Sequence, residues 1–423
     1  MKKQRFSLLP GVNLTVLETN KFKTNCLSLN ILRPLRKEEA AMNALLPDVL
    51  LRGCKLCPDM GKIAAWLDER YGSGIQALVR KKGESHLIGF MVDYINEKYA
   101  APEDHLTEEI CGLMGSFLLE PVLENGVFKQ DFVDGEKVNL INAIMAGIND
   151  KRTYASIRLR QEMFKGEHYG ISKNGEVEDV DAITPESLYD HYRFILAHSA
   201  IELIFVGETD VGKLKEYLVQ ALKDLPRGDL DDVVTLPGPM PTEVKEITES
   251  MDVNQGKLVM GFRTGTTARD EDFPAMLLMN GCYGGSLTSK LFMNVREKMS
   301  LCYYASSGMD REKGVIIVSS GVDTKNYAVA KEEILRQLDA CRAGDISEEE
   351  LSSTRSYLVS SLRAGEDSVF GMEDYCLGQI IGGYEDSTSD LASKLEKVTL
   401  VEVAAAAQKV QLDTIYFLKG EEA

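Results

Sequence analysis

The segment 225–242 divides the chain nearly in half and limits the folds that the sequence can adopt. It reads LPRGDLDDVVTLPGPMPT and contains four prolines and three aspartates. Proline lacks a backbone N–H and fixes φ, so this segment excludes a helix or a central strand. The aspartates predict a solvated stretch. We therefore predict a linker at 225–242 between a first domain at 1–224 and a second at 243–423.

The composition is that of a water-exposed globular protein and excludes several kinds of partner. The apolar fraction is 44% and the charged fraction 27% of 423 residues, which suits two or more domains with real cores. A net charge of −18 argues against nucleic acid, which needs a positive surface. No apolar run reaches the roughly 20 residues of a membrane span, and the opening MKKQRFSLLPGVN is too poor in apolar residues for a signal peptide. We expect a cytoplasmic protein with no membrane partner.

Hydrophobic periodicity predicts strands and long helices in both halves. Leu27, Leu29 and Ile31 alternate with polar residues, which is typical of a strand with one buried face. The second half contains a predicted hairpin near 302–308 and 315–320. Thr184-Pro185 predicts a helix start, and Ser347 with Glu350 predicts a capping box at the start of a later helix. Sheets interleaved with helices in each half predict two α+β domains, each a sheet covered by helices.

Two local patterns suggest chemistry but fit ordinary structure better. The run from Gly207 to Lys213 nearly matches a phosphate loop, yet Leu214 replaces the Ser or Thr that would hold Mg²⁺. A strand–turn–helix joint with an Asp cap is the simpler interpretation, and a nucleotide-dependent enzyme is the weakest hypothesis. The single C-x-x-C at Cys54–Cys57 lacks the second ligand pair of a structural zinc site. The five histidines show no i,i+3 or i,i+4 pair.

The segment from Gly284 to Ala305 holds the third candidate site. A Gly-Gly turn at Gly284 and Gly285 precedes a helix, Arg296 lies in the last turn of that helix, and a strand starts near Cys302. A cation is favoured at a helix C-terminus. From the residues alone, Arg296 can equally be a solvated charge at a helix end, and Tyr303 an ordinary aromatic residue of a strand.

This segment resembles the pitrilysin/insulinase family of zinc peptidases. The runs LFMNVREK at 291–298 and LCYYA at 301–305 are similar to that family's L-F-x-x-[VL]-R-E-K and L-x-Y-x-[VA]. The resemblance implies that Arg296 and Tyr303 hold the substrate backbone, and that Gly284 and Gly285 let a peptide approach. It implies an α+β fold of two similar domains, each a mostly antiparallel sheet covered by helices, forming half of a clamshell.

The same resemblance shows where the chain departs from the family. The zinc motif H-x-x-E-H aligns with Ala44-Leu45-Leu46-Pro47-Asp48, so Ala44 and Asp48 replace the two histidine ligands and Pro47 replaces the general base. The stretch 138–144, where the family carries its third ligand, has no carboxylate. The resemblance therefore implies that this chain alone has no catalytic residue and no metal.

Some members of the family divide the work between two subunits, and this chain resembles the subunit with the Arg/Tyr pair. That resemblance implies a non-catalytic subunit that binds peptide beside a homologous partner carrying zinc. An inactive scaffold or peptide-binding protein with no role in cleavage is the alternative. A homodimer of the isolated chain stays open.

Overall fold

The computed structural model describes residues 2–420. The strands are β1 (Lys2–Leu9), β2 (Val12–Glu18), β3 (Thr24–Pro34), β4 (Gly74–Lys82), β5 (Ser85–Ile95), β6 (Leu123–Glu124), β7 (Val127–Phe128), β8 (Ala200–Gly207), β9 (Lys245–Met251), β10 (Gly256–Arg263), β11 (Cys302–Asp310), β12 (Val315–Val322) and β13 (Gln411–Gly420). The α-helices are α1 (Lys37–Leu50), α2 (Met60–Asp68), α3 (Leu106–Leu119), α4 (Gln130–Asn149), α5 (Lys151–Met163), α6 (Val177–Asp181), α7 (Pro185–His198), α8 (Val211–Leu222), α9 (Phe273–Asn280), α10 (Tyr327–Arg342), α11 (Glu348–Gly365), α12 (Val369–Gly382), α13 (Thr388–Lys397) and α14 (Leu400–Lys409). Two π-helices, Gly281–Gly285 and Leu291–Lys298, follow α9.

The chain forms two compact units, and neither is continuous in sequence. The first unit runs up to Met145 and adds Ile171–Val234 and Asp367–Gly378. The second comprises Ala146–Gly170, Thr235–Glu366 and the chain from Gln379 onward. The division at 234/235 lies inside the segment 225–242. However, Ala146–Gly170 belongs to the second unit and Asp367–Gly378 to the first; we call these two the exchanged segments. Because of them, the units differ from the continuous domains 1–224 and 243–423 that the sequence analysis predicted. Periodicity shows that a helix has an apolar face, and it does not show which sheet that face meets.

The two units have sheets of the same topology. The first sheet has the order β1-β2-β8-β3-β5-β4 and the second β11-β12-β10-β13-β9. Apart from β1, every strand of these two sheets has a counterpart in the same chain order, while β6 and β7 form a separate two-stranded sheet. In each sheet the first and last shared strands pair parallel, β2 with β8 and β9 with β13, and the other pairs are antiparallel. The predicted fold class, two similar α+β domains with mostly antiparallel sheets, is confirmed.

One face of the first sheet is apolar and the other is polar. Leu27, Leu29 and Ile31 belong to the buried core that α1, α3 and α7 share. Ser28 and Asn30 alternate with them and are also fully buried, because the Asp367–Gly378 segment covers that face. The predicted period-2 strand is confirmed, although both of its faces are buried.

An acidic side chain attaches the Asp367–Gly378 segment to the first sheet. The Arg80 guanidinium donates to both carboxylate oxygens of Glu373, at 2.7 and 2.8 Å, and Ser28 Oγ donates to Glu373 at 2.6 Å. Arg80 also donates to Asn30 Oδ1 at 2.7 Å. Glu373 has no exposed surface. The bidentate pair with Arg80 therefore compensates a carboxylate that water cannot reach.

Helix α5 covers the corresponding face of the second sheet through apolar contacts. Ala155 and Leu159 form a buried cluster with Val259, Tyr416 and Leu418 of the sheet. Gly261 leaves room for this helix, because a Cβ at that position would lie 2.4 Å from Met163 Sδ. Both exchanged segments lie between the fourth and the last shared strand of their own half of the sequence.

Charged groups hold the middle of the linker on each side of the division at 234/235. In the first unit, Asp231 pairs with the fully buried Arg33 at 2.7 Å. In the second, Lys313 Nζ donates to the Leu236 carbonyl at 2.9 Å, and Gly238 lies so close to Arg263 that a Cβ would be 1.8 Å from Nη1. Asp231 therefore does more than solvate the linker, because it joins the Glu39 carboxylate in neutralising the buried Arg33 guanidinium.

The predicted helix capping is confirmed. Thr184 Oγ1 accepts from the Ser187 backbone N–H with Pro185 in the first turn of α7, and Ser347 and Glu350 form the capping box of α11. Within the described residues, no helix is both long and apolar enough to cross a bilayer.

A buried chain of three polar side chains joins β5, α1 and α7. His191 Nε2 lies 2.8 Å from Asn43 Oδ1, and Asn43 Nδ2 lies 3.3 Å from His86 Nδ1. Burial, reinforced for His86 by the positive charges of Lys173 and Lys81, lowers the pKa of His86 to about 3. Burial lowers the pKa of His191 to about 4. Both imidazoles are therefore neutral in the folded chain at neutral pH.

We predict that acidification from pH 7 to 5 destabilises the chain through these two histidines. The pKa of a histidine in the unfolded chain is near 6.5. Between pH 6.5 and the lower pKa of the folded state, the unfolded chain binds more protons than the folded chain. The free energy of unfolding therefore decreases as the pH is lowered. The expected loss at pH 5 is about 2 kcal/mol for each histidine. Urea unfolding at both pH values measures it. His191→Gln should lose less on acidification than wild type or His198→Gln, and equal losses in all three would contradict the assignment.

Candidate functional site

Arg296 lies on the outer surface of the second π-helix, with its guanidinium supported by an aromatic ring. Leu291 and Val295 of this helix are buried, which fixes the helix against its unit. The Arg296 guanidinium carbon lies 4.6 Å from the centre of the Phe292 ring. Its Nε is 3.5 Å from the Glu297 carboxylate, an exposed pair that contributes little energy. The guanidinium is thus oriented by Phe292 and still accessible.

Tyr303 projects from β11, the edge strand of the second sheet. Its side chain is 74% exposed. The turn that leads to it is closed by two backbone hydrogen bonds, Ser300 N–H to the Arg296 carbonyl and Leu301 N–H to the Val295 carbonyl, each 3.1 Å. Ser300 takes a left-handed φ of 49°, a conformation typical of helix C-termini. The structure thus carries Arg296 and Tyr303 on consecutive elements joined by a fixed turn.

Gly284 and Gly285 lie in the first π-helix, against the strand that carries Tyr303. A Cβ on Gly284 would be 2.8 Å from the Ser307 backbone nitrogen and 2.7 Å from Leu291 Cδ1. A Cβ on Gly285 would meet Asn280 at 3.1 Å. Packing against β11 therefore accounts for Gly284, and its role in peptide approach stays a prediction.

The degenerate metal motif lies on α1 of the first unit. Ala44 is buried and offers only a methyl group. Pro47 is inside the helix, so it removes one backbone donor without ending the helix. Asp48 is exposed and is the single carboxylate among the motif positions.

A carboxylate on α4 that the sequence analysis missed faces this motif. Glu136 is 8% exposed and pairs with Arg52 Nη1 at 3.2 Å. Although Asp48 is solvent-accessible, the protein atoms packed around its carboxylate remove part of its hydration. This loss, and then the negative charge of Glu136, raise the pKa of Asp48 to about 6. The Arg52 guanidinium also lies over the Phe132 ring. Arg52 and Glu136 lie far apart in the sequence, so no local pattern pairs them.

The other two motifs have structural roles. The Asp210 carboxylate caps α8 by accepting from the Gly212 and Lys213 backbone N–H groups, as the Asp-capped joint predicted. Cys54 and Cys57 are unpaired and buried, and so are the remaining six cysteines.

The comparisons with known proteins agree with this geometry. A family model described as the peptidase M16 inactive domain matches residues 182–358. A Bacillus subtilis (strain 168) protein named "Probable inactive metalloprotease YmfF" is 37% identical over 412 residues, which cover 97% of this chain and 96% of that protein. The chain belongs to the M16 peptidase family. It is an inactive homologue within that family, as the resemblance to pitrilysin and insulinase implied.

Solved structures of M16 type share the fold over the full chain. A conserved protein from Enterococcus faecalis V583 aligns with a TM-score of 0.93 at 28% identity, covering 99% of both chains. A peptidase M16 inactive domain from Pseudomonas fluorescens aligns with a TM-score of 0.81 at 16% identity, covering 100% of this chain and 99% of that one. At 16% identity, the similarity to the Pseudomonas fluorescens structure shows a shared fold only.

The residues at the motif positions do not fit the zinc ion of an active M16 peptidase. Structural and catalytic zinc sites need three or four Cys, His or carboxylate ligands. Within residues 2–420 no group of three or more such side chains is arranged to hold a metal. Glu136 pairs with the Arg52 guanidinium instead, and this cation competes with a metal for the same carboxylate oxygens.

We predict that the purified chain holds substoichiometric zinc. The missing imidazoles leave too few ligands, so a chelator should leave the melting temperature unchanged. Elemental analysis by mass spectrometry and thermal unfolding with and without chelator measure this. One tightly held zinc ion per chain would contradict it.

We predict that Gly284→Ala lowers stability by about 1–3 kcal/mol through overpacking. The matched control is Gly308→Ala on β11, where an added Cβ meets nothing within 4 Å. Urea unfolding compares the two variants. Equal stability of the two would show that packing does not account for Gly284.

Proposed function

We propose that this chain is the non-catalytic subunit of a heterodimeric zinc metallopeptidase, where it binds peptide and supports hydrolysis at the zinc of a homologous partner. The observation that carries the proposal is the exposed Arg296/Tyr303 pair, kept on a rigid turn in a chain whose own metal motif has lost its ligands. In such a pair, polarisation of the scissile carbonyl and activation of water belong to the zinc-bearing partner.

Arg296 is suited to hold a peptide backbone. A guanidinium presents a planar fork of donors that fits a carbonyl or carboxylate. Stacking on Phe292 limits the directions that this fork can take, so less side-chain entropy is lost when substrate binds. Its ion pair with Glu297 is weak enough for a substrate oxygen to replace it.

Tyr303 is suited to stabilise developing negative charge. Its phenolic hydroxyl can donate one hydrogen bond, and the exposed ring on an edge strand leaves that hydroxyl accessible to a partner-bound substrate. A preorganised donor aimed at an oxyanion contributes about 2.7–4 kcal/mol to transition-state stabilisation. Tyr303 would therefore act mainly on kcat.

The eight buried free thiols support a reducing, cytoplasmic location for the complex. They add nothing about the identity of the partner or of the peptide.

We predict that Tyr303→Phe lowers kcat by about 10²–10³-fold when the chain is mixed with an M16 homologue containing H-x-x-E-H, because the oxyanion donor is lost. Arg296→Ala should raise KM more than it lowers kcat. Hydrolysis of a fluorogenic peptide library by the mixture measures both.

The matched controls are Tyr357→Phe and Arg336→Lys, two exposed positions on α11 and α10 of the same unit. Both should keep the full rate. Wild-type rates for Tyr303→Phe and Arg296→Ala would defeat the proposal. A mixture that forms a stable complex but cleaves nothing would favour the scaffold function instead.

A further inference from the structure

We infer that Tyr304, Gly321 and Arg152 are positioning residues that hold Tyr303 outward from the sheet edge. The significance of this inference for catalysis rests on the proposed function, and its structural content does not. All three residues belong to the second unit.

A β-bulge in β11 is the first element of this arrangement. Cys302 pairs with Val322 and Ala305 with Ser320, so Tyr303 and Tyr304 together oppose Gly321. Bulges of this kind bend a strand and redirect a side chain.

The burial of the flanking residues shows what the bulge does. Cys302 and Ala305 both belong to the main hydrophobic core of the second unit, on the face of the sheet opposite α5. Residues three apart in a regular strand point to opposite faces, so the extra residue is what allows both to be buried together. Tyr303 is the residue left pointing away at the edge, and the edge has no further strand beyond it.

The ring of Tyr304 fills a space that only glycine leaves. A Cβ on Gly321 would lie 2.5 Å from Tyr304 Cε1. The Gly321 carbonyl is in turn fixed by Gln255 Nε2, which donates to it at 3.0 Å. An aromatic side chain laid across a glycine on the neighbouring strand protects that strand and pins the register. The register of the bulge thus depends on Tyr304 lying over Gly321.

Arg152 makes a second contact with the Tyr304 ring. Its guanidinium carbon lies 4.2 Å from the centre of the Tyr304 ring, a cation–π contact. Arg152 is in the first turn of α5, where its backbone N–H donates to the capping Asp150 carboxylate at 3.1 Å. Tyr304 therefore contacts both a glycine and a guanidinium, while its neighbour Tyr303 is 74% exposed. Holding one tyrosine fixes the direction of the other.

A ¹⁹F NMR measurement on the full chain tests this without any activity. We place 3-fluorotyrosine at position 303 and record its resonance in wild type and in variants. Gly321→Ala and Tyr304→Ala should each shift or broaden the resonance, because the bulge loses its fixed register. Tyr304→Phe keeps the ring and should restore the wild-type line, and Gly308→Ala on the same strand should leave it unchanged.

The outcomes separate the inference from the proposed function. An unchanged resonance in Tyr304→Ala overturns the positioning role, and this variant carries the test if Gly321→Ala does not fold. With the H-x-x-E-H partner, Tyr304→Ala should lower kcat at least tenfold in the wild-type background and have no further effect in Tyr303→Phe. An equal loss in both backgrounds also overturns the inference. A responsive resonance combined with full activity of Tyr303→Phe supports the positioning role and removes the proposed function.

Discussion

Each sheet in this protein needs cover on both faces, and this requirement shapes the rest of the structure. The first sheet buries Leu27, Leu29 and Ile31 on one side and Ser28 and Asn30 on the other, and unpaired polar groups in such a place would be costly. Glu373 and Arg80 satisfy them. The second sheet solves the same problem with the apolar face of α5. One unit therefore depends on a charge network and the other on packing, although their strands follow one topology.

The surroundings of α1, like the motif itself, are unsuited to a metal ion. In an active enzyme of the family, a metal would draw carboxylate and imidazole groups together. Here Arg52 pairs with Glu136 of α4, and Asp48 has a raised pKa next to that acid. The Arg52–Glu136 ion pair joins the turn after α1 to α4 without any imidazole group. The degenerate site therefore contains an ion pair where an active enzyme would hold a metal.

Much of the local structure could be predicted from the sequence, because its signals are local. The caps at Thr184 and Ser347, the strand at Leu27–Ile31 and the break at 225–242 each follow from a few neighbouring residues. The exchange of Ala146–Gly170 and Asp367–Gly378 could not be predicted, since it depends on which distant sheet a helix face meets. Glu136 was missed because its role follows from a contact with Arg52. The outward direction of Tyr303 depends on Gly321, eighteen positions away, and the bulge leaves no signature in the strand itself.

The reciprocal exchange of segments has a consequence for the origin of the chain. In each half, the piece given away lies between the fourth and the last shared strand, so the two halves trade equivalent parts. Swapping an identical element between two copies is a low-cost route to a dimer. A half-length ancestor could have built both sheets in this way from two separate molecules. Joining two such genes end to end would require a new stretch only where 225–242 now runs.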